Sequence, residues 1–246
     1  MKTVILCGGR GTRLNQLGLA VPKALVSIGG KPLIWHLMRL YTSFGFDEFV
    51  LCLGYLQDQI RSFFGGDRAL TADEFVDIDL DGLRCGVRLV DTGMDTNTGG
   101  RLKAIERLCG EDDSFFVTYG DGLSNIDLKK LLEFHNDHGK TATLTAIHPV
   151  SNFGILEMRD DSSVASFKEK PVLDDWINGG FFVFHRDIFR LLNENSVLEQ
   201  APLASLAKTS ELMAYKHTGF WKCMDTHKDN VELNQLWESH APWKVW

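Results

Sequence analysis

The 246 residues carry 26 Lys and Arg against 33 Asp and Glu, a formal net charge of -7, which argues against a general nucleic-acid binder and its usual basic excess or stripe. With 44% hydrophobic and 24% charged residues the chain reads as globular rather than disordered, collagenous or coiled-coil, and no run approaches the roughly 18 apolar residues of a membrane span. At about 150 residues per domain the length falls between one and two domains, enough to bury a core without disulfides or structural metal.

Met1–Gly9 reads as a first strand, Val4–Cys7, running into a glycine turn rather than as a signal peptide. Five scattered cysteines (Cys7, Cys52, Cys85, Cys109, Cys223) form no C-x-x-C, so a reduced, cytoplasmic protein is expected. Pro32–Phe44 has apolar residues at helical spacing, with Pro32 suited to the first turn. Glu48–Leu53 is a strand closed by Gly54, and Leu56–Phe64 a helix stopped by Gly65-Gly66. Gly65–Gly86 is polar, glycine-punctuated and without clean period, and yields no element. Val87–Val90, Gly100–Leu108, Phe115–Thr118 and Asp127–His138 repeat the strand–helix rhythm up to a β-branched strand, Thr141–Ile147. The succession predicts an α/β fold with a mainly parallel sheet and helices on both faces. His135 and His138 share a helix face with no Cys or further His nearby, which favours solvated histidines over a metal site.

After Pro149 the rhythm changes. Ile155–Met158, Val164–Phe167, Ile177–Phe184, Leu212–Lys216 and Phe220–Met224 are strand-like, separated by turns and two short helices. A more antiparallel lobe built onto the same sheet is expected, giving one domain, 1–246, with lobes 1–150 and 151–246.

The chemistry-bearing residues sit at strand ends. Leu6-Cys7-Gly8-Gly9-Arg10-Gly11-Thr12-Arg13 puts three glycines in four positions, so backbone N–H groups can cradle a phosphate and Arg13 can add a charged fork. The dinucleotide pattern fails because the third glycine would fall on Leu14, and the Walker pattern fails because Gly29-Gly30-Lys31 runs into Pro32. Lys23, in the proline-fixed Val21-Pro22-Lys23 segment, can neutralise a reacting phosphate or snorkel at the surface. Asp121, in Thr118-Tyr119-Gly120-Asp121-Gly122, stands where open α/β sheets place their ligands, or serves as a turn-former. Asp225 offers a second carboxylate; by local sequence it reads as the N-cap of the helix that follows. Phe167–Pro171 and Ile177–Phe182 supply a carboxylate, an ammonium and an amide suited to a polyol phosphate, although a surface charge cluster explains Lys168–Lys170 almost as well.

Together, strand–GGxGTR–PK, the strand-ending Gly120-Asp121, Glu169-Lys170-Pro171 and Asn178-Gly179-Gly180-Phe181-Phe182 resemble the sugar-phosphate nucleotidylyltransferases. Leu89–Gly93, Thr98–Lys103, Phe153-Gly154, Met224-Asp225-Thr226 and the tail Ala241–Lys244 bring the resemblance to the glucose-1-phosphate cytidylyltransferases, across the whole chain. It implies a Rossmann-like nucleotidyltransferase fold with a smaller sugar-binding lobe. It implies Mg²⁺-dependent transfer of a cytidylyl group from CTP to a sugar 1-phosphate, with uridylyl or thymidylyl transfer as the alternative. A homo-oligomer without nucleic-acid or membrane partners goes with it. Carried over, Leu6, Cys7, Gly8, Gly9, Gly11, Thr12, Arg13, Lys23, Thr98, Arg101 and Gly120 hold the nucleotide. Gly154, Glu169, Lys170, Asn178 and Gly179 line the sugar-phosphate side, and Asp121 and Asp225 are the Mg²⁺ carboxylates. Arg13, Lys23 and Asp121 are then the catalytic set. Gly65–Gly86 is shorter than the family's counterpart, and Asn152 and Ala201 replace charged residues of its pattern. A non-catalytic homologue would lose charged site residues first, yet Arg13, Lys23, Asp121, Lys170 and Asp225 are all present.

Overall fold

The computed structural model describes residues 1–9, 21–66, 68, 70, 73–109 and 111–246. Gly11, Thr12 and Arg13 therefore lie outside the described residues. β1 (Lys2–Leu6), a 3-10 turn at Lys23–Leu25 and the short pair β2 (Ser27–Ile28) and β3 (Lys31–Pro32) lead into α1 (Leu33–Ser43). β4 (Glu48–Leu53), α2 (Gln57–Gly65), β5 (Glu74–Asp79) and β6 (Arg84–Asp91) follow. Next come α3 (Thr98–Ala104), α4 (Glu106–Cys109), β7 (Ser114–Tyr119), β8 (Gly122–Ser124), α5 (Leu128–His138) and β9 (Ala142–Ile147). The remainder adds β10 (Ile155–Met158), β11 (Val164–Lys168), β12 (Ile177–His185), a 3-10 segment at Arg186–Leu191, α6 (Ala201–Lys208), β13 (Leu212–Lys216), β14 (Trp221–Cys223) and α7 (His227–Ser239).

Eight strands form the central sheet in the order β13-β9-β12-β7-β1-β4-β6-β5. The β1–β4, β1–β7, β4–β6 and β9–β13 pairs are parallel, while β12 and the edge strand β5 run antiparallel to their neighbours. Period-two alternation splits each central strand between two apolar layers. Ile5, Leu51, Leu89 and Phe116 face one cluster, covered by α1, α5 and α7. Val4, Val50, Val90 and Val117 face the other, covered by α3, Ile188 and Phe189 of the 3-10 segment, and α6. Burial on both faces explains why Val4-Ile5-Leu6 and Phe49–Leu53 are unbroken apolar runs instead of alternating ones. β12 and β13 belong to the same sheet, while the hairpin β10–β11 stands apart as an antiparallel pair whose residues are almost all exposed.

Two expectations need correction. The stretch Gly65–Gly86 is not elementless: it holds β5 and the start of β6, joined by an Asp81-Gly82 turn with φ of 52° and 91°. Positive φ at both central residues is the type I′ pattern that matches strand twist. His135 is not solvated either. It is 3% exposed, and Thr143 Oγ1 meets both His135 Nδ1 at 2.9 Å and His138 Nε2 at 2.7 Å. Among the described residues no helix is long and apolar enough to cross a membrane.

His36 in α1 yields a pH prediction. Its Nδ1 accepts from Trp243 Nε1 at 3.2 Å and its Nε2 meets the Ile28 carbonyl at 2.9 Å. An indole N–H can only donate, so the ring is held neutral. Burial drives the His36 pKa down to about 4 from 6.5, with the Ile28 bond opposing and Lys31 assisting. The unfolded chain takes the proton first, so this contribution to stability is complete above about pH 6.5 and is lost as pH falls toward 4. Urea unfolding between pH 7 and 4 should show stability falling, and His36→Gln should flatten that slope. An unaltered slope would remove His36 as its source.

Candidate active site

At the carboxyl edge the order of the sheet reverses: the chain steps outward from β1 to β4 and β6, then returns to place β7 on the other side of β1. Such a switch point opens a crevice where α/β sheets bind ligands. Leu6, Cys7, Gly8 and Gly9 on one side and Tyr119, Gly120 and Asp121 on the other line a cavity there, closed by Lys23, Thr98 and Arg101. Every described residue assigned to the nucleotide is thus on one cavity wall. Gly8 has no room for a side chain, because a Cβ would lie 2.2 Å from the Arg101 guanidinium. The Cys7 thiol is pushed up to about 12 by burial, lowered in part by Arg101 and raised by Asp121. A thiol so poised is not a nucleophile.

A second cavity adjoins the first and shares Tyr119 and Asp121 with it. Asn178, Gly179, Trp221 and Asp225 complete its wall. Trp221 Nε1 donates to the Gly179 carbonyl at 2.7 Å, fixing this side. Gly154, Glu169 and Lys170 cluster with one another beside the β10–β11 hairpin, where the Lys170 and Glu169 side chains stand 3.7 Å apart, and they line neither cavity.

Where the cavities meet, Lys23 Nζ lies 2.8 Å from Asp121 Oδ2 and 2.5 Å from Asp225 Oδ1. Pro22 and the 3-10 turn at Lys23–Leu25 set the lysine, with Leu25 N donating to the Pro22 carbonyl. The aspartates converge because β8 pairs antiparallel with β14, setting Cys223 opposite Gly122, and Met224 N donates to the Asp121 carbonyl at 2.8 Å. Burial opposes the Lys23 charge, but Asp121 and then Asp225 outweigh it and hold the ammonium above its ordinary pKa. Acceptor atoms of Asp121, Cys223 and Asp225 all fall within 4.8 Å of one another. Burial keeps Cys223 protonated by pushing its thiol up, so the donors suited to a hard cation are the carboxylate oxygens. An ammonium already bridging them shows that the pair accepts positive charge.

The capping reading of Asp225 is corrected here. Thr226 is the N-cap of α7: its Oγ1 accepts from Asp229 N, and Asp229 Oδ2 accepts from Thr226 N, a reciprocal capping box. Asp225 is turned toward Lys23 instead.

Arg101 is 4% exposed, and its fork is spent on the protein itself. Nη1 donates to the Leu53 and Gly93 carbonyls and to Thr92 Oγ1, and Nη2 donates to the Gly8 carbonyl at 3.0 Å. It fastens the ends of β1, β4 and β6 together and lines the nucleotide cavity. Thr98 Oγ1 donates to Glu199 Oε2 at 2.6 Å, and Tyr119 Oη donates to Glu199 Oε1 while receiving Asn178 Nδ2 at 3.4 Å. Burial, with Glu199 beside it, raises the Tyr119 phenol above its usual range, so it remains a donor. Sequence reasoning passed over Glu199. It sits 101 positions from Thr98 and carries no local signal, whereas Tyr119 could have been found as the last residue of a strand aimed at the crevice.

The chain is similar in sequence and fold to known proteins. The nucleotidyl transferase family matches residues 2–239. The glucose-1-phosphate cytidylyltransferase of Salmonella typhimurium is 43% identical, covering 100% of both chains. A probable glucose-1-phosphate cytidylyltransferase of Bacillus subtilis is 41% identical with the same coverage. HddC from Yersinia pseudotuberculosis complexed with GMP-PN has a similar fold, with a TM-score of 0.73 at 22% identity, over 96% of this chain and 99% of that one.

Proposed function

The chain belongs to the nucleotidyl transferase family, and from that footing we propose that it transfers a cytidylyl group from CTP to α-D-glucose 1-phosphate, releasing pyrophosphate. The observation that carries this reading is the meeting of two cavities at Lys23, Asp121 and Asp225. One cavity takes the triphosphate and the other the sugar phosphate, so the reacting groups face each other across the charged centre. The choice of CTP and of glucose follows the names of the full-length relatives.

In the reaction a phosphate oxygen of the sugar 1-phosphate forms a bond to the α-phosphorus of CTP while the bond to pyrophosphate breaks in line. The nucleophile is already an anion near neutral pH, so the protein needs no general base. It must align two polyanions that repel each other and neutralise their charge. The Gly8 and Gly9 backbone lies along the nucleotide wall and offers N–H donors to the phosphates. Lys23 supplies a positive charge at the junction, while Arg13, which the family resemblance assigns to the phosphates, lies outside the described residues. Arg101 acts behind them by fixing the Gly8 carbonyl, which sets the turn that approaches the triphosphate. Asp121 and Asp225 would hold Mg²⁺, which when bound supplies further neutralisation at phosphate oxygens. Asn178 and Gly179 orient the sugar. Glu169, Lys170 and Gly154 stand outside both cavities, and their place on the sugar-phosphate side rests on the family resemblance. Five free cysteines suit the cytoplasm, where such an enzyme would meet both substrates.

Pyrophosphate release measured with CTP, UTP and dTTP, each against several hexose 1-phosphates, tests the reading. CTP with glucose 1-phosphate should give the highest kcat/KM. Cytosine presents an exocyclic amine where uracil presents a carbonyl, and a site matched to one leaves buried groups unpaired with the other. Equal efficiency for CTP and UTP would defeat the base assignment; no release with any pair would defeat the reaction.

A further inference from the structure

The Lys23 ammonium occupies the position between Asp121 and Asp225 that a divalent cation would need. Nζ stands 2.8 Å and 2.5 Å from one oxygen of each carboxylate, and its side chain is only 19% exposed. A Mg²⁺ ion binds oxygen at about 2.1 Å. An ion taking those two oxygens at that distance would press against the ammonium, a like charge. The two cations exclude each other.

We propose that Lys23 is a resident counter-ion that must leave the two aspartates before a divalent cation can enter, so that cation uptake is coupled to arrival of the nucleotide. The proposal rests on the reaction described above for the identity of the anion that receives the displaced lysine. Its chemistry is a balance of charge. Two carboxylates and one ammonium sum to one negative charge; exchange for a divalent cation brings the pair to neutrality and sets one ammonium free. Lys23 also lines the nucleotide cavity, so the released charge has the triphosphate within reach as its new partner. Without nucleotide, the lysine exchanges two carboxylates for water, and the cation must drive that change alone. With nucleotide, phosphates welcome both cations. Linkage makes the effect reciprocal: whatever strengthens nucleotide binding through the metal strengthens metal binding through the nucleotide by the same factor.

Removing the lysine should therefore tighten metal binding even as it harms the reaction. Mn²⁺ serves as the probe, titrated into nucleotide-free protein and followed by calorimetry and by the electron paramagnetic resonance of free ion. Lys23→Met should bind Mn²⁺ at least tenfold more tightly than wild type, the gain that follows when the lysine holds the carboxylates for about nine-tenths of the time in the free protein. Adding Asp225→Asn to Lys23→Met should erase the gain, which locates it at these carboxylates. Lys23→Gln, which keeps a hydrogen-bond donor for Asp121 but no charge, guards against a folding defect and should also bind more tightly than wild type. Thermal melts establish that each variant is folded. Equal or weaker Mn²⁺ binding by both folded lysine variants would overturn the proposal, as would a gain that survives Asp225→Asn. The titration contains no substrate, so its outcome is separate from that of the nucleotide panel. Tightened Mn²⁺ binding in a protein that transfers no nucleotide would uphold the ion exchange and retire the transferase reading. Active wild type with unchanged Mn²⁺ binding in Lys23→Met would do the reverse.

Discussion

Asp225→Asn is expected to lower cytidylyl transfer by roughly a hundredfold or more, the scale set by losing one preorganised electrostatic contact in a reacting site, while the protein stays folded. The residue next to it should behave in the opposite way. Thr226 Oγ1 accepts from Asp229 N at 3.2 Å as the N-cap of α7, so Thr226→Ala should cost about 1 kcal/mol of stability and leave the rate of the folded enzyme nearly intact. Were Asp225 the cap, Asp225→Asn would be almost silent, because Asn caps as well as Asp. The substitution keeps shape and removes one negative charge from the centre that Lys23 bridges. Asp121→Asn, at the other side of the same ammonium, should match it. Steady-state pyrophosphate release and thermal melts on the three variants separate the roles, and a silent Asp225→Asn would end the catalytic assignment.

The contrast between these neighbours shows what a sequence can and cannot carry. Strand ends were legible, since apolar runs such as Phe49–Leu53 stop at glycine, and their parallel succession fixed which ends share an edge. Asp121 followed from that logic. Asp225 and Thr226 are both competent caps, and only the β8–β14 pairing, with Cys223 opposite Gly122, decides which side chain turns inward. Arg101 marks a second limit. The family resemblance puts Arg101 on the nucleotide, but whether its donors face a phosphate or carbonyl oxygens depends on how closely Gly8 and Gly93 approach. β5 was missed for another reason. Val76 and Ile78 turn inward by strand alternation, yet Phe75 on the opposite face is 48% exposed and blurs the pattern, while the Asp81-Gly82 turn was the readable signal. β12, between β7 and β9, is a strand by composition, but its place in the sheet is set by pairing partners far away in the chain.

Lys23→Ala should reduce turnover by about a hundredfold or more, because deleting one donor that stabilises developing charge typically raises the barrier by about 2.7–4 kcal/mol. The loss should fall on kcat more than on the apparent affinity for the sugar phosphate, since Lys23 lines the nucleotide cavity and is absent from the wall of its neighbour. Truncation also leaves Asp121 and Asp225 facing each other without their ammonium. Two converging carboxylates repel each other, so the pair gains affinity for a metal cation offered in place of the lysine. Added Mg²⁺ should accordingly raise the melting temperature of Lys23→Ala more than that of wild type, as preferential binding to the folded state requires. Rate and melting thus move in opposite senses in one variant: chemistry is impaired while the response to metal is enlarged. A lysine that merely covered apolar surface would produce neither effect, and an unchanged rate with unchanged Michaelis constants would remove Lys23 from the reaction.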